Sequence, residues 1–362
     1  MKTSYNIGRV AGIDINIHIT WLFIFALLAY SLATDYFPLT YKFSLLTNWM
    51  LGILAAALLF VSVIVHELSH SIVSKRNKMH VENITLFFFG GVSNVAPEEF
   101  GPKPELKVAI AGPIMSVITG YFFFVLFQLH PGAQLTAIFD YLYKINFALA
   151  AFNMIPGYPL DGGRVLRSTL WIYYKDIKKA TRIASRVGIF MGYAMVLYGF
   201  ASIFTGGFGL WYILLGAFLV FLAKAGYEQV VVKERLSKVP VRSLVKRANF
   251  VNPNLAVEGF VKWCEKHSIS AALVRQKDSF YVVELEQAAS LRREAWKKAK
   301  VRDIMKRANA ISDADNAYKL FYRMRMDNVR VVPVLIKGKF VGVVTEQDIL
   351  HRVRVQSMRD GA

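Results

Sequence analysis

Three ionisable side chains close a long apolar run in Val61-Ser62-Val63-Ile64-Val65-His66-Glu67-Leu68-Ser69-His70. On a helix, residues four apart share a face, so both imidazoles can reach one metal ion while Glu67 lies beside the first. This is an H-E-x-x-H pattern, with two histidines suited to zinc and a glutamate suited to act as general base on a water at the metal. Five residues alone make a weak signal, and their setting strengthens it. The run from Trp49 to Val73 is long enough to cross a bilayer, because ~20 apolar residues at ~1.5 Å each span its hydrocarbon core. A charged residue at the centre of such a span costs at least ~2.5 kcal/mol, so polar groups there face a bundle interior and serve a function.

A second constellation is Asn153-Met154-Ile155-Pro156-Gly157-Tyr158-Pro159-Leu160-Asp161-Gly162-Gly163. Its prolines and glycines break a helix, and broken backbone at membrane depth is expected only where it is buried in protein or lines a cavity. A hydrolytic zinc needs a third protein ligand and an open position, and Asp161 can supply that ligand. Asn153 offers an amide that could orient a substrate or polarise its carbonyl. Read alone, the same stretch is a glycine-capped helix end with a solvated aspartate.

The elements that must position these residues follow from composition. The chain has 362 residues, 55% of them hydrophobic, too apolar for an ordinary soluble protein. The apolar runs gather between Ile17 and Gly226, and six spans are expected: Ile17 to Ala33, Trp49 to Val73, Leu106 to Leu129, Ile138 to Ile155, Val187 to Phe204, and Phe208 to Ala225. Lys and Arg crowd the segments before the first span, between the second and third, between the fourth and fifth, and after the sixth. The alternate connections hold only Lys42. The positive-inside rule therefore places both termini in the cytoplasm and His66 near the cytoplasmic end of its span, in a cell membrane. A cleavable signal peptide is not expected, because no small-residue site soon follows the first apolar run. Cys264 is the one cysteine, which excludes an internal disulfide and agrees with a reducing compartment.

Two β-rich runs flank Gly90-Gly91 within Val81 to Val95, which predicts an apolar hairpin that dips into the membrane or lines a cavity. Span three opens with Ala111-Gly112-Pro113, which permits a bend and close helix approach. His18, at the end of span one, is expected to be structural.

Together these features resemble the site-2 proteases, intramembrane zinc metalloproteases. His66-Glu67-Leu68-Ser69-His70 matches their H-E-x-x-H, and Asn153-x-x-Pro156-x-x-Pro159-Leu160-Asp161-Gly162-Gly163 matches their N-x-x-P-x-x-P-L-D-G-G. The glycine pair and the Ala-Gly-Pro opening of span three look like family features too. The resemblance covers essentially the whole membrane domain and implies that His66, His70 and Asp161 bind one zinc ion, that Glu67 activates the water, and that Asn153 assists. The periplasmic PDZ insertion of some members is absent, since the connections on the outer side are short.

From Tyr227 the chain reads as soluble, with 227–239 expected as a linker and 240–362 as a repeat pair of about 240–299 and 300–356. Val241-Arg242-Ser243-Leu244-Val245-Lys246-Arg247-Ala248-Asn249 recurs as Val301-Arg302-Asp303-Ile304-Met305-Lys306-Arg307-Ala308-Asn309, an offset of 60. Each copy then reads helix, strand, strand, helix. This resembles a pair of CBS domains, α/β modules that bind adenine nucleotides such as ATP in many proteins and can assemble as homo-oligomers. The resemblance implies that Thr345 and Asp348, in Gly342-Val343-Val344-Thr345-Glu346-Gln347-Asp348, hold ribose and phosphate. In the first copy Leu285 and Ala288 stand at those places.

The net charge is +19, and the tail from Glu228 carries 27 Lys and Arg against 15 Asp and Glu, an excess of 27 − 15 = +12. No nucleic-acid recognition motif accompanies it, so proximity to anionic lipid explains it better. The expected fold is an α-helical multi-pass membrane domain followed by a soluble α/β CBS pair. The expected function is a zinc endopeptidase that cuts transmembrane segments of other proteins near the cytoplasmic face, regulated by nucleotide. A CBS-regulated metal-ion transporter and a proteolytically inactive scaffold are the alternatives. Glu67 argues against transport, which needs ligands along an exit path that spans one, three, five and six do not offer on their outer halves.

Overall fold

The computed structural model describes residues 4–79, 81–87, 90–95, 101–205, 207, 209–267, 269–276, 279–312, 316–326 and 329–359. The chain divides into two compact units, Met1–Val230 and Val231–Ala362.

The first unit opens with a hairpin that the expected spans did not include, β1 (Ser4–Val10) and β2 (Ile13–His18), antiparallel to each other. Ile13, Ile15 and Ile17 alternate with Asp14 and Asn16 at the period of a strand with one buried face, and Ile13 and Ile15 are buried. The two-residue turn, Ala11-Gly12, has positive φ at both positions, the twist that a tight hairpin needs. His18 then caps helix α1 (Ile19–Thr40), its Nδ1 accepting from the Thr20 amide, as a structural residue would.

Five more helices are long and apolar enough to cross a membrane: α2 (Leu45–Arg76), α3 (Pro102–Gln128), α4 (Ala133–Asn153), α6 (Ile177–Phe204) and α7 (Gly209–Ser237). Between α4 and α6 lies α5 (Asp161–Tyr174), an amphipathic helix not foreseen from the apolar runs. The second and fifth spans start earlier than hydropathy suggested, at Leu45 and Ile177, because helical hydrogen bonding continues past the apolar stretch into polar residues. For the same reason α7 runs on to Ser237, so most of 227–239, read as a linker, is helix.

The expected hairpin is present as β3 (Val81–Phe87) and β4 (Gly90–Val95). β2 joins β3 in parallel, pairing Ile15 with Ile84, and makes one sheet of order β1-β2-β3-β4 with β4 at an edge. Ile13, Val81, Ile84 and Leu86 pack on Val63, Ile64 and Leu68 of α2, so the sheet lies against the helix that carries the histidines. Farther along α2, Leu51 and Ala55 pack with Phe37 of α1 and with Ile138 and Leu142 of α4.

The second unit repeats itself. Helix α8 (Val257–His267), β5 (Ala271–Gln276), β6 (Ser279–Glu284) and α9 (Leu285–Ala289) are followed by β7 (Lys306–Ala308) and β8 (Ile311–Ser312). Then come α10 (Ala317–Met326), β9 (Val331–Ile336), β10 (Lys339–Thr345) and α11 (Glu346–Arg359). The offset of 60 recurs in the elements: 317 − 257, 331 − 271 and 339 − 279 are each 60. The segments leading into the repeats are exchanged. β7, which leads into the second repeat, pairs with β6 of the first, while Lys246, ahead of the first, bridges to Val343 of the second.

Candidate metal centre and active site

The bundle brings His66, His70 and Asp161 together, all buried. His66 Nε2 lies 3.3 Å from Asp161 Oδ2, His70 Nε2 lies 3.1 Å from the same oxygen, and the two nitrogens are 3.2 Å apart. Donor atoms around a tetrahedral zinc at its usual ligand distances are separated by about 3.3 Å, so the triangle has the size such an ion requires. The other ring nitrogens are also accounted for. His70 Nδ1 is 2.6 Å from the Val108 carbonyl, which can only accept, so Nδ1 donates there and Nε2 is the nitrogen left to face a metal. His66 Nδ1 meets Ser116 Oγ at 2.8 Å. Two imidazole nitrogens and a carboxylate oxygen thus converge on one point in buried surroundings, and the donor set fits zinc.

One face of α3 completes this shell. Val108, Gly112 and Ser116 are spaced four apart, as His66 and His70 are on the facing helix. A Cβ on Gly112 would lie 2.5 Å from His66 Nε2 and closer still to His70 Nε2, in the space a shared metal needs. The Ala111-Gly112-Pro113 stretch thus gives room for an ion as well as close helix approach. Sequence reasoning missed Ser116 and the Val108 carbonyl, because their i, i+8 spacing about Gly112 becomes a signal only once α3 is known to face H-E-x-x-H.

The break between α4 and α5 delivers Asp161. Residues 154–160 fold back onto the first turn of α5, where a Cβ on Gly162 or Gly163 would run into the backbone of Met154 or Tyr158. Asp161 thereby starts a helix at the level of the histidines, while its Oδ1 faces Arg164 Nη1 at 3.5 Å. One turn on, Arg167 pairs with buried Glu105 of α3 and lies over the Tyr158 ring at 5.0 Å, tying α5 to α3.

Glu67 is half-buried and has neither ion pair nor hydrogen bond among the described residues. At about 100° per residue it sits roughly 60° around α2 from His70, between the histidines and the Ile64 side that meets the sheet. Asn153 ends α4, half-buried, and its amide makes no hydrogen bond among the described residues. No other group of three His, Cys, Asp or Glu ligands comes together among the described residues. Asp140 of α4 is buried too, but it accepts from Tyr36 at 3.4 Å, Tyr41 at 2.9 Å and Lys144 at 2.7 Å.

In the second unit a cavity of about 490 Å³ is lined by residues that include Lys246, Arg247, Arg330, Thr345 and Asp348. Thr345 Oγ1 donates to Asp348 Oδ2 at 2.7 Å, and Lys246 pairs with the same carboxylate. Burial raises the Asp348 carboxyl, but Lys246 and Thr345 outweigh it and hold the group below its usual value. The first repeat has Leu285 and Ala288 instead, which offer neither hydroxyl nor carboxylate.

Comparison with known proteins agrees with these two units. The family model of Peptidase family M50 matches residues 54–136 and 129–195, and that of the CBS domain matches 301–355. Rip3 of Mycobacterium tuberculosis is 28% identical over 369 residues, covering 98% of this chain and 94% of that protein. Zinc metalloprotease MJ0392 of Methanocaldococcus jannaschii is 28% identical over 362 residues, covering 99% of both. The solved site-2 protease of Methanocaldococcus jannaschii aligns with 61% of this chain and 94% of its own at 31% identity and a TM-score of 0.44. The chain is a multi-pass membrane protein of peptidase family M50, the site-2 protease family of zinc metalloproteases, with a C-terminal unit of the CBS fold.

Proposed function

We propose that the protein is an intramembrane zinc endopeptidase that cleaves a transmembrane segment of another protein near the cytoplasmic face. The observation that carries this reading is the triangle of His66 Nε2, His70 Nε2 and Asp161 Oδ2, with Glu67 beside it on the same helix. Zinc, when bound, supplies a Lewis acid that polarises the scissile carbonyl and acidifies water. Glu67 accepts the proton of the attacking water and can return it to the departing amine. The hydroxyl of Ser116 and the carbonyl of Val108 hold the imidazoles so that each presents Nε2. Asn153 offers its amide to the substrate from the end of α4.

A helical substrate conceals its peptide bonds in its own hydrogen-bond ladder, so it must be extended before cleavage. β4 is an edge strand of a sheet packed on α2, and an extended segment can add to it through main-chain hydrogen bonds. The placement of Glu67 between the histidines and the sheet side suits a substrate held there. The distribution of Lys and Arg supports cytoplasmic termini. For the tail, the cavity with Thr345, Asp348 and three cationic side chains supports binding of an adenine nucleotide at the second repeat. Regulation follows if the nucleotide favours one arrangement of the protein over another.

The test uses protein in lipid with single-span substrates, with and without a zinc chelator. Glu67→Gln is expected to keep its zinc and lose cleavage, whereas Asp161→Ala loses both. Turnover at the wild-type rate in Glu67→Gln, or cleavage indifferent to the chelator, overturns the mechanism.

A further inference from the structure

A cavity of about 450 Å³ lies between the start of α3 and the end of α5, lined by Gly101 to Pro104, Trp171, Ile172 and Lys175. It is separate from the metal centre, and its chemistry is one-sided. Lys103, Lys175 and the Trp171 indole bring donors only. Among the described residues, none of the three donor groups has a hydrogen-bond or ion-pair partner, and no carboxylate lines the cavity. Neighbouring charges are already engaged: Arg167 with Glu105, and Lys179 over the Tyr174 ring at 3.9 Å. Pro102, Pro104 and Ile172 supply the apolar remainder of the lining.

The location adds a second constraint. α3 has 27 residues, about 40 Å of helix, which outreaches a hydrocarbon core of about 30 Å, and its only charged residues, Lys103, Glu105 and Lys107, lie in its first two turns, so that end suits the headgroup layer. Ile172 and Tyr173 of α5 are exposed beside it, at 42% and 78%, an apolar surface suited to the lipid interface. A ligand for this place carries an anionic phosphate for the three donors and an apolar portion for the rest.

We propose that this cavity binds the phosphate headgroup of an anionic phospholipid, with Lys103, Lys175 and the Trp171 N–H as its donors. The bound lipid bridges α3 to α5, the two helices that carry Gly112 and Asp161. The assignment does not rest on the peptidase reading.

The test places the full-length protein in nanodiscs of phosphatidylcholine alone or mixed with a minor fraction of phosphatidylglycerol, and reads the lipid retained after gentle extraction by native mass spectrometry, together with Tm. Wild-type protein is expected to retain phosphatidylglycerol selectively and to melt higher in its presence. At the attraction typical of a lysine beside an anionic lipid surface, two lysines correspond to about 30-fold in affinity. Lys103→Glu with Lys175→Glu should therefore abolish selective retention and the Tm shift while leaving zinc content unchanged, and the arginine pair should keep both. Retention of phosphatidylglycerol no better than phosphatidylcholine, or retention undiminished in the glutamate pair, overturns the proposal. If inorganic phosphate added to phosphatidylcholine discs reproduces the whole Tm shift, the ligand is free phosphate and the lipid assignment falls.

Discussion

His66 of α2 and Ser116 of α3 face each other inside the bundle, ring Nδ1 to hydroxyl oxygen at 2.8 Å, both side chains buried. The contact fixes which edge of the imidazole turns toward Asp161. Partners of this kind typically change metal affinity about 10- to 100-fold when removed. Ser116→Ala should therefore bind zinc more weakly by that factor in a chelator competition, and Ser116→Thr should recover part of the loss. Undiminished affinity in the alanine variant would mean that His66 is oriented by its packing alone.

Gly112→Ala is expected to lose zinc without losing the fold. Alanine favours a helix more than glycine does, but its methyl enters the space between the two Nε2 atoms. Metal analysis beside circular dichroism checks this: zinc should fall severely while helical signal persists. Normal zinc content would place the ion elsewhere.

In the tail, Asp348 is held as a carboxylate by Lys246 and Thr345. Its folded pKa is depressed, so the carboxylate contributes stability above its unfolded pKa of about 3.9, and the contribution is lost as the pH falls through the lower folded value. Asp348→Asn should lower tail stability at pH 7 and flatten its acid dependence. Calorimetric unfolding from roughly pH 2 to 7, on both sides of that unfolded pKa, reads both effects. Parallel profiles for the two proteins would show that the Lys246 pair adds nothing.

Calorimetric titration of the full-length protein with ATP and with AMP should give one site per pair of repeats, weakened by Asp348→Ala. Unchanged binding in the variant would remove Asp348 from the site, and binding with no effect on proteolysis would leave a ligand but no regulator.

What the sequence disclosed depended on the range over which each signal acts. The helical spacing of His66 and His70 and the break before Asp161 are local, and both are plain in the sequence. That the three ligand atoms converge depends on how α2, α3 and α5 pack, which no local pattern states. Ser116 was missed because a lone serine in an apolar span reads as helix packing until the histidine opposite it is known. The β1–β2 hairpin was missed for another reason: Ile13, Ile15 and Ile17 alternate with a strand's period but run into the apolar helix that follows. Helix α5 escaped because Gly162 and Gly163 argue against a helix by propensity, whereas here they admit the folded-back loop.

The exchanged leading segments of the tail set an order of events during synthesis. β6 cannot gain its neighbour β7 until residues 306–308 have left the ribosome, and the bridge from Lys246 waits longer, for Val343. The first repeat therefore emerges with its sheet incomplete and becomes a closed unit only when nearly all of the chain has been made. A message truncated between the repeats would yield the membrane helices, metal ligands included, attached to a half-tail with open strand edges, a form suited to recognition by chaperones and proteases.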